Sequence, residues 1–147
     1  MTLAVATRRW GVGPDDAVAT GSAARGALGK FGEQVAADHL VAVGYHVLAR
    51  NWRCRDGEVD IVAVDGNVLV MCEVKTRRGI DFGTPLDAIT PTKAARLRRL
   101  AVHWLADQRA GATDDHVVRY AEVRFDVVSV LRPRVGPTTV THLRAAF

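Results

Sequence analysis

The sequence predicts a mixed α/β sandwich, with a central sheet flanked by helices. Two runs of alternating apolar residues meet at Asp65-Gly66-Asn67, the pattern of an antiparallel hairpin. Apolar residues recur at helical spacing over about residues 24–43 and again over 91–107. The resulting order of helix, strand, hairpin, helix, strand, strand suits a sheet covered by helices.

At 147 residues the chain makes one domain, long enough to bury about two-thirds of the surface that its unfolded form exposes. Residues 1–22 carry Gly, Pro, Thr and the paired Asp15-Asp16 without periodicity, so they read as a flexible tail before a domain spanning 23–147. From Ala24 to Val43, Leu28, Phe31, Val35, Ala36, Leu40 and Val43 form one helical stripe, and Gly44 ends it as a C-terminal cap. Tyr45 to Arg53 alternates loosely and should form the first strand, and Cys54-Arg55-Asp56-Gly57 turns into the hairpin. Thr76 to Gly83 is expected to be a loop. Thr90-Pro91 is a helix start, with Thr as N-cap and Pro at the first helical position. Ala94, Leu97, Ala101, Trp104 and Leu105 supply that helix's core stripe through Asp107. A strand over Glu122 to Leu131, a turn over Pro133 to Pro137 and a last strand over Thr138 to Leu143 complete the domain.

Composition narrows the function classes. The 48% hydrophobic and 24% charged content is ordinary for a globular domain. No segment approaches the run of about 20 apolar residues that spans a bilayer, so no membrane role is expected. A net charge of +4 and a pI near 9.6 favour an anionic partner. The same balance also follows from an Arg-rich composition with only three lysines, Lys30, Lys75 and Lys93, as a GC-rich genome would produce. Cys54 and Cys72 are too few for a disulfide framework and lack metal-finger spacing, and Cys72 falls on the apolar face of its strand. This usage fits a reducing cytoplasm. Arg8-Arg9 could open a twin-arginine export signal, but Trp10 to Asp16 is not an apolar segment. The five histidines show no ligand spacing to one another or to cysteine.

The hairpin carries the chemistry. With Gly66-Asn67 as a two-residue loop, Asp65 faces Val68, Asp60 faces Glu73 and Glu58 faces Lys75. Since residues two apart share a face, Glu58, Asp60, Glu73 and Lys75 are expected to project together. Two opposed carboxylates with Cβ atoms about 5 Å apart repel by roughly 3 kcal/mol at an effective dielectric near 20. A cation should offset this: either Lys75, or a divalent metal held by Asp60 and Glu73 at about 2.1 Å. An ammonium beside two metal-binding carboxylates is suited to phosphodiester hydrolysis, where metal and Lys acidify a water and stabilise charge on phosphate.

Asp60 followed by Glu73-Val74-Lys75 resembles the Asp…(Asp/Glu)-x-Lys signature of the restriction-endonuclease-like, or PD-(D/E)xK, nuclease superfamily, which includes Holliday-junction resolvases. Val59 stands where many members have Pro. Phe31-Gly32-Glu33, Asn51-Trp52-Arg53, Gly57-Glu58-Val59-Asp60, Cys72-Glu73-Val74-Lys75-Thr76-Arg77, Phe82-Gly83, Arg124-Phe125-Asp126 and Ala145-Ala146-Phe147 together resemble the YraN-like family of uncharacterised bacterial proteins. This resemblance spans about residues 24–147.

The resemblance implies a restriction-endonuclease-like three-layer sandwich and a metal-dependent endonuclease acting on DNA, at branched or flapped structures. It implies Asp60, Glu73 and the Val74 carbonyl as holders of Mg²⁺ or Mn²⁺, and Lys75 as the group that activates water. Glu33 lies seven residues before Leu40, at the edge of the helix's buried stripe, where an acid either reaches back to solvent or serves a site. The resemblance favours the site. Arg77 and Arg78, and the pair Lys93 and Arg96, are candidate phosphate contacts; solvated basic surfaces are the alternative for each. Arg50, Arg53 and Arg55 face phosphate or water. Asp126, without a partner acid at useful spacing, is assigned a structural role. Resolvases of this superfamily often work as dimers, which makes a homodimer one expectation. A different reading is a non-catalytic nucleic-acid-binding module, a partner in a DNA repair or processing complex; a third is an adaptor whose acids form only a surface ion network.

Overall fold

The computed structural model describes residues 20–79, 89–113 and 117–147. Residues 1–19 of the expected tail and the Phe82-Gly83 motif lie outside these. The elements are α1 (Thr20–Ala42), β1 (His46–Cys54), β2 (Gly57–Asp65), β3 (Val68–Arg77), α2 (Pro91–Ala110), β4 (Glu122–Leu131) and β5 (Thr139–Leu143). They build one five-stranded sheet in the order β1-β2-β3-β4-β5. Only β3 and β4 run parallel; the other neighbours are antiparallel. The mixed α/β sandwich is the expected fold class, with α1 packed on one face and α2 on the other.

Three boundaries differ from expectation by two residues or more. Helix α1 begins at Thr20, so residues 20–22 belong to the helix rather than the tail. Thr76 and Arg77 extend β3, because β4 supplies ladder partners in Val130 and Leu131. Helix α2 continues to Ala110, where Gly111 donates its N–H back to Asp107.

The caps are those the sequence indicates. At the end of α1, Gly44 adopts φ +98° and donates to the Val41 carbonyl, while the Tyr45 N–H reaches the Leu40 carbonyl. This 6→1 and 5→2 pair is a Schellman motif, and Leu40 and Tyr45 are buried in the same apolar cluster. The Thr90 hydroxyl accepts the Lys93 N–H at 3.2 Å and caps α2.

Strand β3 explains its own apolar sequence. Val70 and Cys72 pack beneath α1 with Ala36, Leu40, Ile61, Ala63, Val128 and Val130. Leu69 and Met71 pack beneath α2 with Val62, Leu97, Leu100, Ala101, Trp104 and Phe125. A strand covered on both faces reads as a continuous apolar run. Helix α1 approaches this strand closely at one point. A Cβ on Gly32 would lie 1.7 Å from Thr76 Oγ1, so only glycine permits the contact.

Asp126 is fully buried and organises the C-terminal end. Its Oδ1 accepts Arg124 Nε at 2.8 Å and the Ala145 N–H at 3.1 Å, and its Oδ2 lies 2.8 Å from His142 Nε2. Burial alone would raise its pKa, but the hydrogen bonds from His142, Arg124 and Ala145 outweigh burial and hold it at about 2. Its role is structural, as expected. Beyond it, the Ala146 N–H bonds the Phe125 carbonyl and Phe147 stacks on Phe125 with centroids 5.2 Å apart.

Gly32→Ala is expected to destabilise the fold by about 1–3 kcal/mol in urea unfolding, as overpacking does, with partial recovery in a Gly32→Ala/Thr76→Gly pair. Asp126→Asn is expected to cost about 3 kcal/mol at pH 7, since it breaks a buried charge network in which Arg124 still keeps Asp65. A depressed native pKa stabilises above the unfolded value and is lost as pH falls through the folded one. The gap between wild type and variant should therefore close between about pH 4 and pH 2.

Candidate active site

The hairpin register is the expected one, with Asp65 opposite Val68 and Ile61 opposite Cys72. The ladder then stops. Beyond Ile61 and Cys72, β2 remains paired with β1 as far as Gly57, and β3 remains paired with β4 as far as Arg77. Asp60 occupies the opening: its Oδ2 accepts the Val74 N–H at 2.8 Å. A strand residue carries its N–H and C=O on the same edge, so the Val74 carbonyl also faces the gap between β2 and β3.

Strict alternation fails at this point. Val59 packs with the α2-side cluster and Ile61 with the α1-side cluster, although they are two residues apart. On β1, the position between the pairs Arg50–Ile61 and Trp52–Val59 is Asn51, which has φ +51°. The distortion therefore involves both strands. It corrects the expectation that Glu58, Asp60, Glu73 and Lys75 project from one regular face: Glu58 instead binds Arg53 at 2.7 Å.

Other elements complete the cluster. The Gly32–Thr76 contact brings α1 down beside β3, and the next residue, Glu33, lines a cleft of about 320 Å³ with Leu28, Gly29, Val74, Lys75 and Thr76. Asn51 Nδ2 donates to Glu33 Oε2 at 3.0 Å. From the opposite face, the first turn of α2 sets Lys93 against Lys75. Burial and then the charge of Lys75 lower the Lys93 pKa, with Glu73 acting in the other direction. Asp60 is pushed up to about 7, first by burial and then by Glu73, with Glu33 and Glu58 adding to the shift and the Val74 N–H opposing it.

The structure thus gathers Glu33, Asp60, Glu73 and Lys75 at one fork and adds Lys93. Arg96 runs along the β1–β2 turn, where its Cδ would lie 3.5 Å from a Cβ on Gly57, and its Nε is buried without a hydrogen-bond partner. Arg77 closes β3 and its carbonyl accepts the Arg132 N–H at 2.8 Å; Arg78 follows it, exposed. Asn51 had been marked only as part of a motif. An Asn inside a strand, where its type is depleted, was the available sign of its role. Among the described residues, no three His, Cys, Asp or Glu side chains form a ready-made metal-binding group. Nor is any described helix long and apolar enough to cross a membrane.

Residues 32–130, which contain this whole constellation, match the family model of the uncharacterised protein family UPF0102. The chain belongs to this family. It is 55% identical over 128 residues to a UPF0102 protein of Acidothermus cellulolyticus, covering 86% of this chain and 97% of that protein. A Parafrankia relative is 58% identical over 120 residues, covering 82% and 95%, and one from Streptomyces coelicolor is 53% identical over 122 residues, covering 82% and 88%. UPF0102 is the YraN-like family that the sequence motifs resemble. For this UPF0102 chain, then, the fork around Asp60 is the feature that calls for a chemical explanation.

A carboxyl raised from 3.8 to about 7 binds a proton in the folded state that the unfolded chain releases, so folding stability falls as pH rises between these values. Asp60→Asn, which can still accept the Val74 N–H, should melt at a higher temperature than wild type at pH 8 and at nearly the same temperature at pH 4. Melting curves at both pH values, recorded in EDTA, check this.

Proposed function

We propose that this protein is a metal-dependent nuclease that hydrolyses phosphodiester bonds in DNA, at branched or flapped structures. One observation carries the reading. The opened β2–β3 fork sets Asp60 against Glu73 and Glu33, with Lys75 on the same strand face as Glu73, on a chain otherwise rich in basic residues. The likeness of its Asp60…Glu73-Val74-Lys75 motif to restriction-endonuclease-like nucleases supports the same chemistry.

The donor set suits Mg²⁺ or Mn²⁺. Asp60 keeps Oδ1 available while Oδ2 holds the Val74 N–H; Glu73 and the Val74 carbonyl add oxygens at the same gap. Hard divalent cations take such all-oxygen sites and fill remaining positions with water. Burial first, and then the neighbouring Glu73, make a charged Asp60 costly, a cost that a divalent cation would offset. When bound, such an ion supplies Lewis acidity and a more acidic water.

The chain's own residues do the rest. Lys75 holds the attacking water and offsets charge developing on the phosphate. Glu33, oriented by Asn51, accepts a proton from that water or fixes its direction. Lys93 neutralises the phosphate from the α2 side, and Arg77, Arg78 and Arg96 contact the flanking backbone.

The test is cleavage of labelled linear, single-stranded, flapped and four-way-junction DNA with Mg²⁺ or Mn²⁺, comparing wild type with Asp60→Ala and Lys75→Ala. Lys75→Ala should lower the rate by about 10²–10³-fold, and EDTA should abolish it. Activity that survives EDTA and both substitutions would refute the site. Salt-dependent DNA binding by every variant without cleavage by any of them would instead identify a nucleic-acid-binding module.

A further inference from the structure

The geometry points to a second phosphate-binding position, formed by Arg132 stacked on Phe31, that grips the DNA backbone beyond the acidic fork. The identity of its ligand rests on the nuclease reading. Arg132 is the first residue after β4, and its guanidinium carbon lies 3.9 Å from the centroid of the Phe31 ring. Val128 and Val130 pack under α1, and alternation carries the Arg132 side chain to the same face. There it meets the helix that supplies Glu33.

Arg98 also lies over a ring, Phe147, at 5.8 Å, but Arg132 sits closer to its own and differs from the acid-paired arginines. Arg53, Arg124 and Arg144 each hold a carboxylate, at 2.7, 2.8 and 2.9 Å. Arg132 has no such salt bridge among the described residues, yet it is not loose, because the ring fixes one face of its guanidinium plane. A planar fork held in this way is suited to bidentate capture of phosphate oxygens. An exposed arginine that served only to clip α1 to the sheet would not need that donor edge kept clear of acids.

Its position relative to the fork follows from the register. Arg77 pairs with Leu131, so Arg132 stands one step past Arg77 along β3. That is about three residues beyond Lys75, or roughly 10 Å at 3.3 Å per residue. Lys75 projects on the α2 face and Arg132 on the α1 face, so Arg132 lies on the side of the sheet from which Glu33 approaches the fork. Phe31, Gly32 and Glu33 are consecutive, and Gly32 is locked against Thr76. A single rigid segment of α1 therefore sets the distance between the acid and the arginine.

Binding of fluorescently labelled flapped and single-stranded DNA, titrated by anisotropy in EDTA over a range of salt, tests the position without depending on cleavage. Arg132→Gln should weaken binding about 5–20-fold and reduce the slope of log affinity against log salt by about one phosphate contact. Phe31→Leu, which keeps an apolar side chain under α1 but no ring, should lose a smaller factor of about 3 and leave the salt slope unchanged. Urea unfolding midpoints of both variants should stay near that of wild type. If wild type binds DNA and Arg132→Gln binds it equally well with the same salt slope, the position is refuted while the nuclease reading stands. A large fall in unfolding midpoint with unchanged binding by the folded fraction would refute it too, and make the stack a structural clip. If wild type binds no DNA, the nuclease reading and this position fall together.

Discussion

The site depends on one exchange of hydrogen bonds. Where β2 and β3 separate, the Val74 N–H loses its cross-strand partner and takes the Asp60 carboxylate instead, at 2.8 Å. A buried N–H left unpaired would cost about 1–3 kcal/mol, and the acceptor at residue 60 offsets that cost for the part-buried Val74 N–H where the fork opens. The same bond holds Asp60 in place and fixes its free oxygen beside Glu73. Backbone satisfaction and site geometry are thus one constraint. The reversal of side between Val59 and Ile61, and the positive φ of Asn51 opposite, are its local consequences.

The protein contains a second buried acid that makes the contrast clear. Asp126 is surrounded by donors: Arg124, His142 and the Ala145 N–H hold it at about 2. Asp60 is pushed up to about 7, first by burial and then by neighbouring acids led by Glu73, with only one backbone donor opposing them. Both sit in the same sheet, on β2 and β4, yet one is fully compensated and the other is not. Compensation marks structure; its lack is a recurrent mark of function. The closeness of α1 matters in the same way, because a glycine at 32 converts helix packing into the placement of Glu33.

Much of this was legible in the residues. The Gly66-Asn67 turn set the hairpin register to the residue, Thr90-Pro91 placed the start of α2, and Gly44 placed the end of α1. The isolation of Asp126 from other acids marked it as structural. Regular alternation misled at Glu58, since an ideal pleat carries it toward Lys75 and the distorted pleat leaves it with Arg53. The start of α1 was missed because residues 20–22 lack the apolar spacing that marks a helix. Asn51 and Arg132 were not singled out because their partners, Glu33 and Phe31, are distant in sequence and meet them only through packing.

The sequence by itself determined the elements, the hairpin register and the caps. These follow from local rules of turn, cap and period that act over a few residues. Only the tertiary structure decided that the ladder opens at Asp60, that Lys93 of α2 meets Lys75, and that Arg132 meets the segment of α1 that carries Glu33. Those outcomes depend on how closely helix and sheet approach and on which backbone groups remain unpaired. Both are properties of the packed chain, which no stretch of residues specifies alone.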